Sequence, residues 1–302
     1  MNSSPESLRH LEIPNLARFE TGNGGFTRLV LNTPGSEAHI YLHGAHVTHF
    51  QLGEKPVLFM SRESLFEADK PIRGGVPVIF PWFGPREGHP KAPAHGFART
   101  MPWEVESIEA SAGDSVTATL SLKASEQTRA QWPGEFILRY RVTLRTQLEM
   151  ALEVENTGSE SFVFEEALHT YFAVGDAREV RISGLAGCEY IDKVDGFQRK
   201  IQDSSPIQFT GETDRVYLHT QATCGIDDPI SKRTIKVSKS GSNTTVVWNP
   251  WIAKATAMAD FGDEEWPMMA CVETANAGED RISLPPGGKA LMTAVVAVNS
   301  TK

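Results

Sequence analysis

The chain has 302 residues, 40% of them hydrophobic, enough for one large β domain or two smaller domains. A formal charge of -9, with no lysine-rich tail or basic helix to offset it, excludes general affinity for nucleic acid or an anionic membrane, so an anionic ligand would need a local cluster of arginines. Three cysteines (Cys188, Cys224 and Cys271) without CxxC spacing exclude a disulfide scaffold and a zinc knuckle, and they are expected to be reduced and packed.

The first twenty residues, MNSSPESLRHLEIPNLARFE, carry no apolar run after their charges, and nowhere does an apolar run approach bilayer length. A cytoplasmic protein is expected, with residues 1–20 loosely ordered and residues 21–300 forming a single domain. Period-2 alternation then dominates, beginning with TRLVLNT, AHIYLHG and VLFMS. HIYLHGAHVTHF holds four of the nine histidines, His39, His43, His46 and His49. Gly44 breaks its register and the run contains no carboxylate or cysteine, so strand histidines on a half-polar surface are expected, and no metal site. SLFEADK is one of the few helix-like stretches.

RGGVPVIFPWFGPREGHPKAPAHGFART, from Arg73 to Thr100, breaks the pattern. Glycine and proline recur every few residues, yet Val76, Val78, Ile79, Phe80, Trp82 and Phe83 are core residues by type. Arg73 and Arg99 stand at its two ends beside glycine or small residues, where the backbone can approach a ligand and a guanidinium can fork onto phosphate oxygens. Structural ion pairs are the competing account. Trp82, Phe83 and Phe97 suit either sugar stacking or core packing.

Farther on, SVTATLSL is followed by FILRYRVTL and LEMALEVE, whose inward residues alternate; a three-residue loop, Arg145 to Gln147, predicts a hairpin with Arg139 opposite Glu153. In SFVFEEALHTYFAV, Phe162, Phe164, Leu168 and Phe172 share the core-facing phase, which turns His169 to the other face with Ala167 and Tyr171; the plain reading is a surface histidine. RVYLHT, TIKVS, TTVVWN, MACVET and KALMTAVVAV complete more than a dozen strands, with turns such as NTGSE, KSGSN and PPGG. Asp214 opens RVYLHT as a turn residue would. Glu273 ends an apolar strand, where a carboxylate is either solvated or held by partners in a cleft. So many strands with few short helices predict an all-β fold, a large antiparallel sandwich of two sheets.

Taken in order over roughly residues 26–297, RGGVPVIFPWFG, HGFAR, EEALHTYF, ETDRVY, VVWNPW and CVETAN closely resemble the hexose-6-phosphate mutarotases, or glucose-6-phosphate 1-epimerases, within the aldose 1-epimerase group. The resemblance implies a β-super-sandwich of the galactose mutarotase kind that binds a hexose phosphate; a monomer is expected for a sandwich of this size, and the chemistry of one acid and one base needs no cofactor. The same resemblance implies that His169 and Glu273 are catalytic, that Arg73 and Arg99 hold the phosphate, and that His95 and Asp214 bind sugar hydroxyls or the ring oxygen. One departure is Ala94, where family members often carry glutamine. Ordinary pKa values of about 4.3 and 6.5 would make Glu273 the ionised base at the C1 hydroxyl and His169 the protonated acid at the ring oxygen. Rival readings are a non-catalytic sugar-phosphate sensor, a glycoside hydrolase using Glu273 with Asp214, and a mutarotase of unphosphorylated aldoses.

Overall fold

The computed structural model describes residues 3–111 and 115–300. Most regular structure is antiparallel strand, as the alternation predicts, and it forms three sizeable sheets. A five-stranded N-terminal sheet runs in chain order from Ala17–Thr21 to Lys55–Pro56. The first eight-stranded sheet has at its centre Arg233–Ser240, Lys289–Ser300, Leu148–Asn156 and Phe136–Leu144. The predicted hairpin lies here, with Arg139 registered against Glu153 and its Nη1 3.2 Å from that carboxylate.

The second eight-stranded sheet places the chemistry. Its central order is Glu189–Asp192, Thr213–Tyr217, Thr244–Asn249, Met269–Asn276 and Glu166–Leu168, with Tyr171–Ala173 also paired to Met269–Asn276. Every residue of Met269–Asn276 is buried, and the pleat divides them cleanly. Ala270 and Val272 enter the main core with Val247, Leu138, Leu152 and Val296, which packs this sheet against the first. Met269 and Cys271 point the other way, into a separate cluster with Trp248, Val246 and Tyr171, and Glu273 follows them on that second face.

Three expectations need correction. Residues 5–20 are docked: Pro5–Leu8 forms a helical turn, Ala17–Thr21 pairs with Thr27–Thr33, and Leu8, Ala17 and Phe19 join the main core. Their apolar positions are real but too short a run to register as a strand beside the charges around them. SLFEADK is not helical: seven residues ahead of Pro71 make a marginal helix, and Phe66 instead packs on Tyr41 with ring centroids 5.2 Å apart. VLFMS makes only isolated bridges, Leu58 to Phe172 and Met60 to Gly74. The longest helix, Trp251–Ala257, follows VVWNP; Asn249 Oδ1 accepts from the Trp251 amide at 2.9 Å, while its Nδ2 donates to the carbonyls of Trp266 and Met269.

The four clustered histidines also divide. His39 and His49 are half-buried and lie against each other with rings tilted at 33°, and His39 Nε2 lies 2.9 Å from Glu37, a carboxylate just outside the run. His43 and His46 are buried rather than on a half-polar surface, because their ring nitrogens reach the carbonyls of Lys70 and Gly74. Among the described residues, no cluster of histidine, cysteine and carboxylate suited to a metal occurs, and no helix is long and apolar enough to cross a membrane.

Glu166 shares the core-facing phase of EEALHTYF and is fully buried. Its Oε1 accepts from Asn276 Nδ2 at 2.9 Å, its Oε2 has no partner among the described residues, and burial pushes its carboxyl up to about 8. Between the ordinary carboxyl range and pH 8 the folded chain therefore binds one proton more than the unfolded chain, so stability falls as pH rises through that interval. Glu166→Gln is expected to remove this slope, of order a few kcal/mol, and to gain stability over the wild type at pH 9. Urea midpoints at pH 5 and pH 9 check it, and a parallel pH dependence in both proteins would refute it.

Candidate active site

The glycine- and proline-rich segment is a wall made of close backbone crossings. Gly75, at φ 58°, is so close to Val47 that a Cβ would stand 2.2 Å from its carbonyl oxygen; Gly96, at φ 71°, would meet Phe80 O at 2.0 Å. Only glycine fits either place. The Gly75 carbonyl accepts from the Tyr171 amide at 2.9 Å, and Pro77 O accepts from the His169 amide at 3.1 Å, so the wall is fastened to the segment that presents His169, between the strands Glu166–Leu168 and Tyr171–Ala173. Phe80, Trp82 and Phe97 fill the main core, whereas Phe83 faces the site and packs edge-on against His95 at 4.9 Å. The aromatic residues are thus mostly core.

The wall and the second face of the sheet enclose a cavity of about 280 Å³ lined by all six predicted site residues, Arg73, His95, Arg99, His169, Asp214 and Glu273. His169 Nε2 stands 3.3 Å from Glu273 Oε1, both side chains being buried. Tyr171 stacks on the His169 ring at 4.9 Å, Trp248 closes on it edge-on at 5.9 Å, and His95 does the same at 5.7 Å. Packing on three sides fixes the imidazole.

Burial, then the Asp214 charge, raises the Glu273 carboxyl well above its ordinary range, with Lys193 opposing. Burial, then the charges of Arg99 and Arg73, holds His169 well below its ordinary range. Both shifts run toward the uncharged forms, a carboxylic acid and a neutral imidazole, where ordinary pKa values favour carboxylate and imidazolium. The two descriptions hold the same single proton; desolvation of both charges decides which end keeps it.

The arginines differ from each other. Arg73 donates through Nε and Nη2 to Asp260 Oδ2, at 3.1 and 3.0 Å, and through Nη1 to Tyr171 at 3.1 Å. Arg99 donates from Nη2 to the Ala94 carbonyl at 2.7 Å, and among the described residues it has no carboxylate within ion-pair distance. Burial and the Arg73 charge push its guanidinium down to about 10. At the departure noted above, it is thus the Ala94 backbone that takes part.

Lys193 and Lys254 complete the lining and were not foreseen. Lys193 is ion-paired with Asp214 at 2.7 Å, and Lys254, on the helix Trp251–Ala257, with Glu212 at 3.0 Å. Asp260 was missed as well. Nothing in the local pattern around Asp260 or Lys193 marks either as different from the other charged residues in turns.

A buried carboxyl and imidazole in contact, beside cations and aromatic rings in one cavity, are suited to acid–base chemistry on a small polar molecule. The family model described as "Aldose 1-epimerase" matches residues 27–293. A protein of Escherichia coli named "Putative glucose-6-phosphate 1-epimerase" is 38% identical over 252 residues, covering 83% of each chain. One of the same name from Cenchrus ciliaris is 38% identical over 260 residues, covering 83% of this chain and 78% of the other. The crystal structure of a "putative mutarotase" from Salmonella typhimurium superposes with a TM-score of 0.89 at 31% identity, covering 96% of this chain and 95% of that one. A galactose mutarotase-like protein of Clostridium acetobutylicum shares the fold, with a TM-score of 0.72 at 15% identity. The chain belongs to the aldose 1-epimerase family, and with it to the sugar-mutarotating isomerases.

Proposed function

We propose that this isomerase interconverts the α and β anomers of a hexose 6-phosphate. The observation that carries the reading is Arg99: a guanidinium without a carboxylate partner among the described residues, in the same cavity as the 3.3 Å His169–Glu273 contact. A partly buried cation without a counterion is costly, and a phosphate on the ligand supplies the missing charge. Arg73, already held on Asp260, adds a second positive field.

Ring opening removes the C1 hydroxyl proton and delivers a proton to the ring oxygen. The pair holds one proton and one vacant basic atom, which is what each step requires. Whichever of His169 and Glu273 takes the hydroxyl proton, the other protonates the ring oxygen; rotation about C1–C2 presents the other aldehyde face, and the roles reverse on closure. His95 and Asp214 hold ring hydroxyls, and the fixed phosphate sets the anomeric carbon against the pair. No cofactor enters these steps. Residues 21–300, with the docked residues 5–20, act as one catalytic domain, and because one chain supplies the whole cavity we assign a monomer, working in the cytoplasm on a phosphorylated sugar.

Magnetisation-exchange NMR between the two anomers of glucose 6-phosphate tests this. Exchange is expected to rise in proportion to added protein and to exceed that of free glucose at equal concentrations. Exchange of free glucose alone would overturn the phosphate assignment.

A further inference from the structure

We propose that Lys193 is a specificity-determining residue that acts with Asp214 as a two-headed clamp on adjacent ring hydroxyls, the carboxylate accepting from one and the ammonium donating to its neighbour. The proposal rests on the sugar-binding reading of the cavity and adds a residue to it.

Lys193 follows the strand Glu189–Asp192 and is tied to Asp214 twice. Its backbone amide donates to the Asp214 carbonyl at 2.9 Å, and its Nζ returns to Asp214 Oδ2 at 2.7 Å. A lysine side chain normally samples many rotamers, but two-point attachment holds this one in place, with the remaining ammonium hydrogens available. The Nζ lies 5.8 Å from the centre of the Phe83 ring and the side chain lines the cavity. Lys254 offers a contrast, since it pairs with Glu212 and its side chain is more exposed.

The sheet register sets the clamp opposite the acid–base pair. Asp214 is registered against Trp248, and Val246 of the same strand against Glu273. Asp214 and Glu273 are therefore two strands and two residues apart, roughly 10 Å across the strands and roughly 7 Å along them, or about 12 Å between backbones at the usual spacings, with side chains reaching inward over one face. A pyranose laid between them meets Glu273 at its anomeric end and the clamp at hydroxyls farther round the ring. A donor and an acceptor held together suit a vicinal pair of hydroxyls, and a site built for a hydroxyl discriminates against the analogue lacking it.

The test is a cycle of protein and substrate changes. Anomer exchange of glucose 6-phosphate, free glucose and the 2-, 3- and 4-deoxy forms of each is measured with wild type, Lys193→Met, Lys193→Arg and Asp214→Asn. Lys193→Met is expected to raise KM for the parent sugars about 10-fold. On one deoxy form it should cost nothing further, because the hydroxyl it would have gripped is gone. Asp214→Asn should single out the adjacent position, and Lys193→Arg should restore part of the loss. Equal losses on every sugar, or none, would reduce Lys193 to a counterion for Asp214 and overturn the clamp. If the phosphate assignment fails, the phosphorylated series loses its advantage in the wild type, while the free-sugar series still reads the clamp.

Discussion

Glu273→Gln is expected to lower anomer exchange roughly 10²- to 10⁴-fold while leaving sugar binding nearly intact. The amide has the shape of the carboxyl but can neither release nor take the proton that the reaction moves. Because Glu273 is almost fully buried and its Oε2 has no partner among the described residues, the substitution breaks no structural hydrogen bond there. His169→Asn should cost a similar factor, and the double variant little more, since either group alone is half of a relay. The pH profile of kcat/KM offers a second check on the same pair. Activity requires one shared proton: it should rise with pH as His169 loses a second proton, and fall as Glu273 loses the last one. Burial and the two arginines place the acid limb below the ordinary histidine value of 6.5, and burial with Asp214 moves the alkaline limb up from the ordinary glutamate range. Exchange rates between pH 4 and pH 10 would show this. An acid limb at or above 6.5 would contradict the neutral imidazole, and full activity of Glu273→Gln would remove the carboxyl from the mechanism.

The second large effect belongs to Arg99. Arg99→Ala is expected to raise KM for a hexose 6-phosphate by about 10- to 150-fold, the equivalent of roughly 1.5–3 kcal/mol for charge-assisted hydrogen bonds, with little change for free glucose. The selectivity follows from the wiring, because among the described residues the Arg99 side chain spends only one hydrogen bond, at the Ala94 carbonyl. Arg73→Ala should behave differently. It frees Asp260 and Tyr171, and Tyr171 is the ring stacked on His169, so kcat is expected to fall for both sugars together with the phosphate-specific rise in KM. Saturation curves for the two sugars with each variant separate the roles. If Arg99→Ala affected both sugars equally, the phosphate would have to be placed elsewhere or abandoned.

These two arginines show how far one sequence can be read. IRGG and HGFAR mark each as a cation beside backbone that can come close, and the glycines are accounted for by contacts of 2.2 and 2.0 Å that no Cβ could enter. Which arginine is already neutralised was not legible, since Asp260 lies 187 residues from Arg73 along the chain and has no feature to distinguish it. The same holds for Lys193, which reaches Asp214 through pairing between strands. Protonation has a related cause: reference pKa values describe solvated groups, and the burial that shifts His169 and Glu273 toward their uncharged forms is a property of the packed sheet.

The sequence by itself determined the all-β class, the main hairpin with Arg139 facing Glu153, and the alternate phase that sends His169 away from the core, because period-2 patterning is a local consequence of the pleat. Through the ordered motifs it also carried the likeness to a family. The tertiary structure alone decided that residues 5–20 are docked, that SLFEADK stays non-helical, and that six separated side chains share one cavity of about 280 Å³. It also set which charges are paired and buried both members of the His169–Glu273 contact. Those outcomes depend on desolvation and on distances between segments far apart in the chain, and neither quantity exists until the sheets have packed.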